Sequence, residues 1–200
     1  MMFNRRAGFL IALFVAIPLI VMASSQEKKA GKAAPAAKNP VVTMETTMGI
    51  IEIELYADKA PITVNNFLGY AGAGFYNGTI IHRVDANVIQ GGGYTADLTA
   101  RPTMRPIQSE SKNGLKNLRG TVAMARYDDP NSATSQYFIN LTDNPHLDRS
   151  ASDVGYAVFG KVIKGMDVVD KIAKVKTAPK GVFATLPVQT VVVQTVKVVQ

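Results

Sequence analysis

The chain has 200 residues, of which 47% are hydrophobic and 18% are charged, and it contains no cysteine. This composition is typical of a globular protein, and it excludes disulfide bonds and thiolate chemistry. The formal net charge is +7, but Arg5, Arg6 and the lysines of residues 24–40 supply most of it, so no concentrated basic face for nucleic acid is expected on the folded part.

The first segment, residues 1–23, has the pattern of a secretory signal peptide. Arg5 and Arg6 precede an apolar run over residues 8–22, and Val-Met-Ala at 21–23 fits the small-residue pattern before a cleavage point. The run has about 15 residues, whereas a bilayer span needs about 20. A cleaved signal is therefore favoured over a retained anchor, and membrane contact is expected only if the leader stays uncleaved.

The next segment, residues 24–40, predicts a flexible linker. It is rich in lysine, alanine and proline, and it has no large apolar residue to bury. The folded domain is expected over residues 41–200.

The folded domain is expected to begin with a hairpin followed by a helix. Alternating apolar and polar residues predict two strands over residues 41–56, with the turn near Gly49. Pro61 suits a first helical position, and an apolar stripe follows up to Gly72. Asp58 lies close enough to the start of this helix to help cap it.

A second hairpin is expected around Arg83. Residues 79–84 are rich in β-branched side chains and predict a strand, residues 85–87 predict a turn, and residues 88–90 predict a return strand. The glycines at 91–93 allow other groups to approach the backbone closely. Arg83 lies at a strand end, where a charged side chain usually needs water or a ligand.

The remainder of the chain is rich in short predicted strands. Strands are expected over residues 120–126, 136–141, 156–163 and 188–199, a helix over 165–174, and loops over 91–117, 142–155 and 175–187. About eight strands with two helices favour a mainly β fold, a closed antiparallel barrel capped by helices.

Five segments, collinear along the chain, resemble the cyclophilins, a family of peptidyl-prolyl cis/trans isomerases. They are His-Arg-Val at 82–84, Gln-Gly-Gly-Gly at 90–93, Gly-Thr-Val-Ala-Met-Ala at 120–125, Ser-Gln-Tyr-Phe-Ile-Asn at 135–140 and Val-Phe-Gly-Lys-Val at 158–162. The leader makes the chain similar to the bacterial periplasmic branch. The resemblance implies an eight-stranded antiparallel barrel with a helix over each open end.

The resemblance also implies a set of site residues. Arg83 matches the catalytic arginine, and Gln90 matches a glutamine that orients the substrate and the arginine. Met124 and Ala125 match the strand that pairs with the substrate backbone, and Phe138 matches the floor of the proline pocket. The other positions expected to bind substrate are Val88, Arg126, Gln136, His146, Leu147 and Tyr156.

One stretch departs from the family. From His82 to Gln90 the chain has nine residues, whereas the family usually has ten. Val88 takes the place of a methionine and Asn87 the place of a phenylalanine, so one aromatic wall of the pocket is expected to be missing.

The implied reaction is rotation about the bond before proline, which has a barrier of about 18–20 kcal/mol. No bond is broken, so no cofactor, nucleophile or metal is expected. An arginine can donate to the proline nitrogen, where lone-pair density appears as the bond twists. An apolar pocket formed by Phe138, Leu147, Met124 and Val88 is expected to supply the rest by desolvation and a twisted geometry.

These observations predict a monomeric, periplasmic isomerase that acts on proline-containing polypeptides during folding. One alternative is a binding module that holds proline-containing segments with weak or no catalysis, which the shortened turn after Arg83 motivates. A second alternative is a structural protein tethered to the membrane by its uncleaved leader.

Overall fold

The computed structural model describes residues 39–199, in which eight strands close into an antiparallel barrel. The predicted signal peptide and nearly all of the predicted linker lie outside the described residues. Along the described chain the elements are β1 (Val41–Thr46), β2 (Gly49–Leu55), α1 (Pro61–Gly72), β3 (Thr79–Val84), β4 (Val88–Thr95), β5 (Thr121–Met124), β6 (Tyr137–Asn140), a 3-10 turn (Pro145–Leu147), β7 (Val158–Lys164), α2 (Met166–Ala173), β8 (Thr177–Lys180), β9 (Phe183–Pro187) and β10 (Val192–Val198).

The order of the strands around the barrel is β1-β10-β3-β4-β6-β5-β7-β2, and every neighbouring pair is antiparallel. This architecture, with α1 and α2 packed against the strands, confirms the predicted mainly β fold. Within the described range, neither helix is long and apolar enough to cross a bilayer.

The barrel interior is filled by the apolar face of each strand and by aromatic rings. In β2, for example, Ile51, Ile53 and Leu55 are buried while the residues between them are not, as the period of two requires. From α1, Phe67 stacks on Tyr76 at 4.9 Å, and it meets other rings from β6 and β7 edge-on or tilted. Such ring pairs add to the free energy gained from burial alone, so α1 is fixed firmly to the barrel.

Two predicted loops contain strands instead. The loop expected from residue 91 begins only after Thr95, because β4 continues through the three glycines. Gly92 has φ 85°, and a Cβ there would lie 2.8 Å from the backbone carbonyl oxygen of Ser135. Glycine is therefore required at this position for close packing. Because glycines have no side chains, the segment shows no alternation of apolar and polar residues, and the sequence does not predict a strand there.

The second error concerns residues 175–187, where β8 and β9 form a separate hairpin. Pro179 lies in β8, and Gly181 between the strands has φ 57°. Pro187 is the single buried residue of these two strands, so their sequence lacks a buried apolar face and does not show a strand pattern.

The N-terminus of α1 is capped by a residue distant in sequence rather than by Asp58. The N-cap position is Ala60, which has no polar side chain, and Asp58 pairs with Lys59 at the surface. The carboxylate of Glu110 instead accepts the backbone N–H groups of Ile62 and Thr63, at 3.1 and 2.8 Å, and the Thr63 hydroxyl at 2.7 Å. The expectation for Asp58 was therefore wrong, since Glu110 satisfies these donors across 48 positions of sequence.

We expect Glu110→Ala to lower the free energy of unfolding by about 1–2 kcal/mol, because it removes a cap and leaves the buried Thr63 hydroxyl unpaired. Denaturant unfolding measures the change. Asp58→Ala is the matched control and should change stability by less than about 0.5 kcal/mol. Equal losses in the two variants would contradict this assignment of the cap.

Candidate active site

A pocket of about 220 Å³ lies on the outer face of the barrel. Nearly all of the predicted site residues line it. The lining side chains are Arg83, Asn87, Val88, Gln90, Ala125, Arg126, Phe138, His146, Leu147 and Tyr156. The volume suits a small apolar group such as a proline ring.

The register of four neighbouring strands places the central groups of this pocket in one row. Arg83 of β3 is paired with Gln90 of β4, Gln90 with Phe138 of β6, and Phe138 with Ala123 of β5. Directly paired residues of an antiparallel sheet project from the same face. The row therefore brings a cation, an amide and an aromatic ring together above one surface.

The same alternation excludes Met124 from the pocket. Met124 is paired with Tyr137, one step along from the row, so its side chain projects to the opposite face. It is buried in the barrel core together with Tyr137 and Ile139. The prediction that Met124 forms a wall of the proline pocket was therefore wrong.

Gln136 also lies outside the pocket, but it contacts the row from beside it. Gln90 donates from Nε2 to Gln136 Oε1 at 2.9 Å. The oxygen of the Gln90 amide accepts from Arg83 Nη1 at 3.3 Å. Gln136 therefore orients Gln90, which in turn contacts the arginine.

The floor of the pocket is apolar and well packed. Phe138 and Val88 are each only 4% exposed, and Ala123 and Val158 pack with them. Tyr156 meets the Phe138 ring edge-on, with the ring centroids 5.5 Å apart. A proline ring bound here would be desolvated against an apolar surface that does not need to rearrange.

The guanidinium of Arg83 is held at the rim by Asp85, a residue that the sequence analysis assigned only to the turn. Arg83 Nε and Nη2 lie 2.9 and 2.6 Å from Asp85 Oδ2. The other carboxylate oxygen accepts the backbone N–H groups of Asn87 and Val88, at 2.8 and 2.9 Å. One side chain thus closes the turn and orients the arginine.

The charge on Asp85 is secured by its surroundings. Burial by itself would raise the pKa of the carboxyl group, but the two backbone N–H groups and the Arg83 guanidinium outweigh this effect and lower the pKa below its ordinary value. Asp85 is therefore ionised at neutral pH, and the pair with Arg83 is a charged one.

Arg126 serves as a brace for the pocket wall. Its Nε donates to the carbonyl oxygen of Gly155 at 3.1 Å and its Nη1 to that of Tyr127 at 2.8 Å. Its guanidinium lies 4.7 Å from the centre of the Tyr156 ring, and its Nη2 is 3.5 Å from Asp153. Most of its donors are thus engaged in holding two loops together.

Buried asparagines connect the turn of residues 85–87 to the segment that carries His146 and Leu147. Asn144 donates to the carbonyl oxygen of Asn87 at 3.1 Å and to Asn140 Oδ1 at 2.8 Å. Sequence reasoning missed these side chains, because an asparagine in a loop usually indicates only a turn. Asn87 itself lines the pocket, at the position where the family resemblance implied a phenylalanine.

His82, the neighbour of Arg83, is buried behind the site. Its ring meets Tyr94 and Phe183 edge-on, with centroids 4.9 and 5.8 Å away. Burial lowers its pKa to about 4. Its Nδ1 atom finds no hydrogen-bond partner among residues 39–199. His82 is therefore neutral at physiological pH. Among residues 39–199, no three side chains that could bind a metal ion are grouped together.

Comparison with known proteins places this geometry in a family. The family described as cyclophilin type peptidyl-prolyl cis-trans isomerase/CLD matches residues 41–198. The peptidyl-prolyl cis-trans isomerase of Acinetobacter baylyi is 54% identical over 82% of this chain and 88% of its own length. Peptidyl-prolyl cis-trans isomerase B of Escherichia coli is 48% identical over 79% of this chain and 99% of its own length.

Solved structures agree with these sequence matches. A cyclophilin type peptidyl-prolyl cis-trans isomerase of Cryptosporidium parvum has a TM-score of 0.66 and 25% identity, over 81% of this chain and 98% of its own. A structure with the same name and source, with a TM-score of 0.65 and 25% identity over 80% of this chain and 99% of its own, was determined in the presence of the dipeptide Ala-Pro.

The low pKa of His82 predicts a pH-dependent stability. The unfolded chain binds a proton at this side chain below about pH 6.5, whereas the folded chain resists protonation down to about pH 4. The free energy of unfolding should therefore fall by about 3 kcal/mol as pH drops through this window, since each pKa unit corresponds to about 1.4 kcal/mol.

Denaturant unfolding of the wild type and of His82→Gln between pH 7 and pH 4 measures this contribution. The loss on acidification should be smaller in His82→Gln than in the wild type. Parallel curves for the wild type and His82→Gln would contradict the assignment.

Proposed function

The chain belongs to the family of cyclophilin-type peptidyl-prolyl cis-trans isomerases, and we propose that it uses Arg83 and the pocket above Phe138 to rotate Xaa-Pro bonds of exported proteins. Family membership makes the chain a peptidyl-prolyl isomerase. The roles of individual residues, the periplasmic location and action as a monomer are part of the proposal.

The observation that carries the proposal is the cross-strand row from Arg83 to Phe138. It sets a guanidinium at the edge of an apolar pocket whose floor is an aromatic ring. Within the described residues, the contacts to Asp85 and Gln90 use three of the five N–H groups that a guanidinium carries. Two N–H groups thus stay free to donate to a substrate.

The chemistry required of this arrangement is electrostatic. Conjugation with the carbonyl group gives the bond before proline its barrier of about 18–20 kcal/mol. As the bond twists, conjugation is lost and the proline nitrogen becomes a hydrogen-bond acceptor. An N–H group of Arg83 that donates to this nitrogen stabilises the twisted state more than the planar one, which is the condition for catalysis.

The pocket has to supply part of the acceleration. A hydrogen bond to a charged donor contributes about 1.5–3 kcal/mol, whereas a ten-thousandfold acceleration requires about 5.4 kcal/mol. The difference is assigned to the apolar pocket, in which Phe138, Val88 and Leu147 hold the proline ring and exclude water. A drier pocket also strengthens the hydrogen bond from Arg83.

The proposed compartment rests on the leader. Arg5 and Arg6 precede an apolar run and a small-residue cleavage pattern, and the chain contains no cysteine to be oxidised after export. The mass of the mature chain isolated from the periplasm tests this part of the proposal. A mass that includes residues 1–23 would contradict cleavage.

We expect Arg83→Ala to lower kcat/KM for a short Xaa-Pro peptide by roughly 10- to 150-fold, which corresponds to the loss of one hydrogen bond from a charged donor. Arg83→Lys should lose less activity, since it keeps the charge but not the two-pronged donor. Exchange NMR of the peptide measures the rates. The Arg83 side chain is 53% exposed, so neither variant should unfold the barrel.

Two outcomes of this experiment would contradict the proposal. One is unchanged kcat/KM in Arg83→Ala. The other is a wild type that binds the peptide but turns it over no faster than Arg83→Ala does, which would support the binding module instead.

The role of Asp85 as a positioning residue gives a separate prediction. Asp85→Asn keeps an oxygen that can accept the turn amides, but it removes the charged partner of Arg83. We expect kcat/KM to fall roughly 3- to 10-fold, because the guanidinium loses a fixed orientation. In an Arg83→Ala background the same substitution should have no further effect.

Asp97→Asn is the matched control, because Asp97 is exposed in another turn and bonds only to Thr95 and Thr99 among the described residues. Its kcat/KM should equal that of the wild type. A higher kcat/KM in Asp85→Asn would show that the carboxylate competes with the substrate for the guanidinium.

A further inference from the structure

The proline pocket combines a floor set by strand pairing with two walls carried on loops. Phe138 of the floor lies in β6 and is paired with Gln90 of β4. One wall contains Asn87, in the turn between β3 and β4, and the other contains His146 and Leu147 of the 3-10 turn. These wall residues lie outside the strands, so the shape of the pocket depends on the contacts that join the two loops.

Asn144 joins the two walls. It is only 1% exposed, and its Nδ2 donates to the carbonyl oxygen of Asn87 at 3.1 Å, across 57 positions of sequence. The backbone oxygen of Asn144 accepts the N–H group of Leu147 at 2.9 Å, which closes the 3-10 turn. The same residue thus bonds the first wall through its side chain and begins the second wall through its main chain.

Asn144 ends a chain of three buried side-chain amides, here called the asparagine bridge (Asn117, Asn140 and Asn144). Asn144 Nδ2 also donates to Asn140 Oδ1 at 2.8 Å, and Asn140 Nδ2 donates to Asn117 Oδ1 at 3.2 Å. Asn117 Nδ2 donates to the carbonyl oxygen of Leu147 at 3.1 Å. The asparagine bridge therefore contacts one pocket wall at Asn87 and the other at Leu147.

Each amide group of the asparagine bridge uses both of its N–H donors. Asn140 Nδ2 also donates to Thr121 Oγ1 at 2.9 Å, and Asn117 Nδ2 also donates to Asp148 Oδ1 at 3.1 Å. All three amide side chains belong to buried residues. A buried polar network whose members are all satisfied is rigid, because a displacement leaves a donor or an acceptor without a partner.

The position of Asn87 also affects the catalytic arginine. The N–H group of Asn87 donates to Asp85 Oδ1 at 2.8 Å, and Asp85 Oδ2 accepts from Arg83 Nε at 2.9 Å. A continuous set of hydrogen bonds thus runs from Asn144 through the backbone of Asn87 to the guanidinium. A displacement of Asn87 would change the pocket wall and the orientation of Arg83 together.

We propose that Asn144 is a positioning residue for the isomerase reaction, which holds the two loop walls in the arrangement that fits a five-membered proline ring. This inference rests on the proposed function of the pocket. Asn144 is not among the side chains that line the pocket, so it acts through Asn87 and Leu147. Catalysis is sensitive to such placement, since an error of about 1 Å can cost about 100-fold in rate.

Two peptides that differ only in the size of one ring test the proposal. One contains an Xaa-Pro pair, and in the other pipecolate, which has a six-membered ring, replaces the proline. Exchange NMR gives kcat/KM for each peptide with the wild type and with Asn144→Ala, which removes both donors of the side chain. Because each peptide is compared between two proteins, its intrinsic barrier cancels.

We expect the wild type to favour proline over pipecolate. In Asn144→Ala, kcat/KM for the proline peptide should fall roughly 5- to 30-fold, because the walls lose their fixed arrangement. The pipecolate peptide fits the wild-type pocket less well and has less to lose, so its kcat/KM should fall at most about twofold. The preference for proline should therefore fall by at least about threefold.

Asn144→Ser is measured in parallel, because a hydroxyl group keeps one donor in the buried site but cannot donate to Asn87 and Asn140 at once. It should shift the ring preference in the same direction as Asn144→Ala. Glu110→Ala is the matched control for lost stability, since Glu110 caps α1 and does not line the pocket. It should keep the wild-type ratio of proline to pipecolate.

The outcomes separate positioning from folding and from the proposed function. An equal fall in kcat/KM for both peptides, or failure of both Asn144 variants to fold, would assign Asn144 a purely structural role and overturn the inference. Unchanged kcat/KM in the Asn144 variants, or the same change of ring preference in Glu110→Ala, would also overturn it. Absence of turnover by the wild type would instead contradict the proposed function.

Discussion

The antiparallel register that pairs Arg83 with Gln90 and Gln90 with Phe138 is the constraint on which the site depends. Three strands must pair in this register for the cation, the amide and the ring to share a face. A shift of one residue in any pair would turn one member of the row into the barrel interior. The barrel holds the register because each strand also buries its alternate side chains in a tightly packed core. Closing the sheet leaves those eight strands without a free edge.

The turn after β3, residues 85–87, completes this row. One oxygen of the Asp85 carboxylate closes the turn, and the other holds the guanidinium of Arg83. Asn87 then lines the pocket with a polar group, and its carbonyl oxygen is tied to the opposite wall by Asn144. Polar contacts thus give this side of the site its shape, while Phe138 and Tyr156 provide the apolar surface.

Much of the fold could be predicted from the sequence, because alternation and turn residues are local signals. The hairpin of β1 and β2, both helices and most barrel strands follow from them. The features that were missed depend on contacts between distant residues. Glu110 caps α1 from 48 positions away, and Met124 points inward because of a register that the sequence does not display. The strands β8 and β9 bury a single residue, Pro187, so they lack the buried face by which strands are recognised. The site residues were found through the family resemblance, and a strand-end arginine by itself would not have identified them.

The central claim is that the guanidinium of Arg83 acts on the nitrogen of a proline held above Phe138. A crystal structure of the protein with a bound Xaa-Pro peptide tests it most directly. The account predicts that the proline ring lies on Phe138 beside Val88 and Leu147, with an Arg83 N–H group directed at the proline nitrogen. A proline ring seated in this pocket with the guanidinium turned away from it, or a proline bound elsewhere on the barrel, would contradict the account.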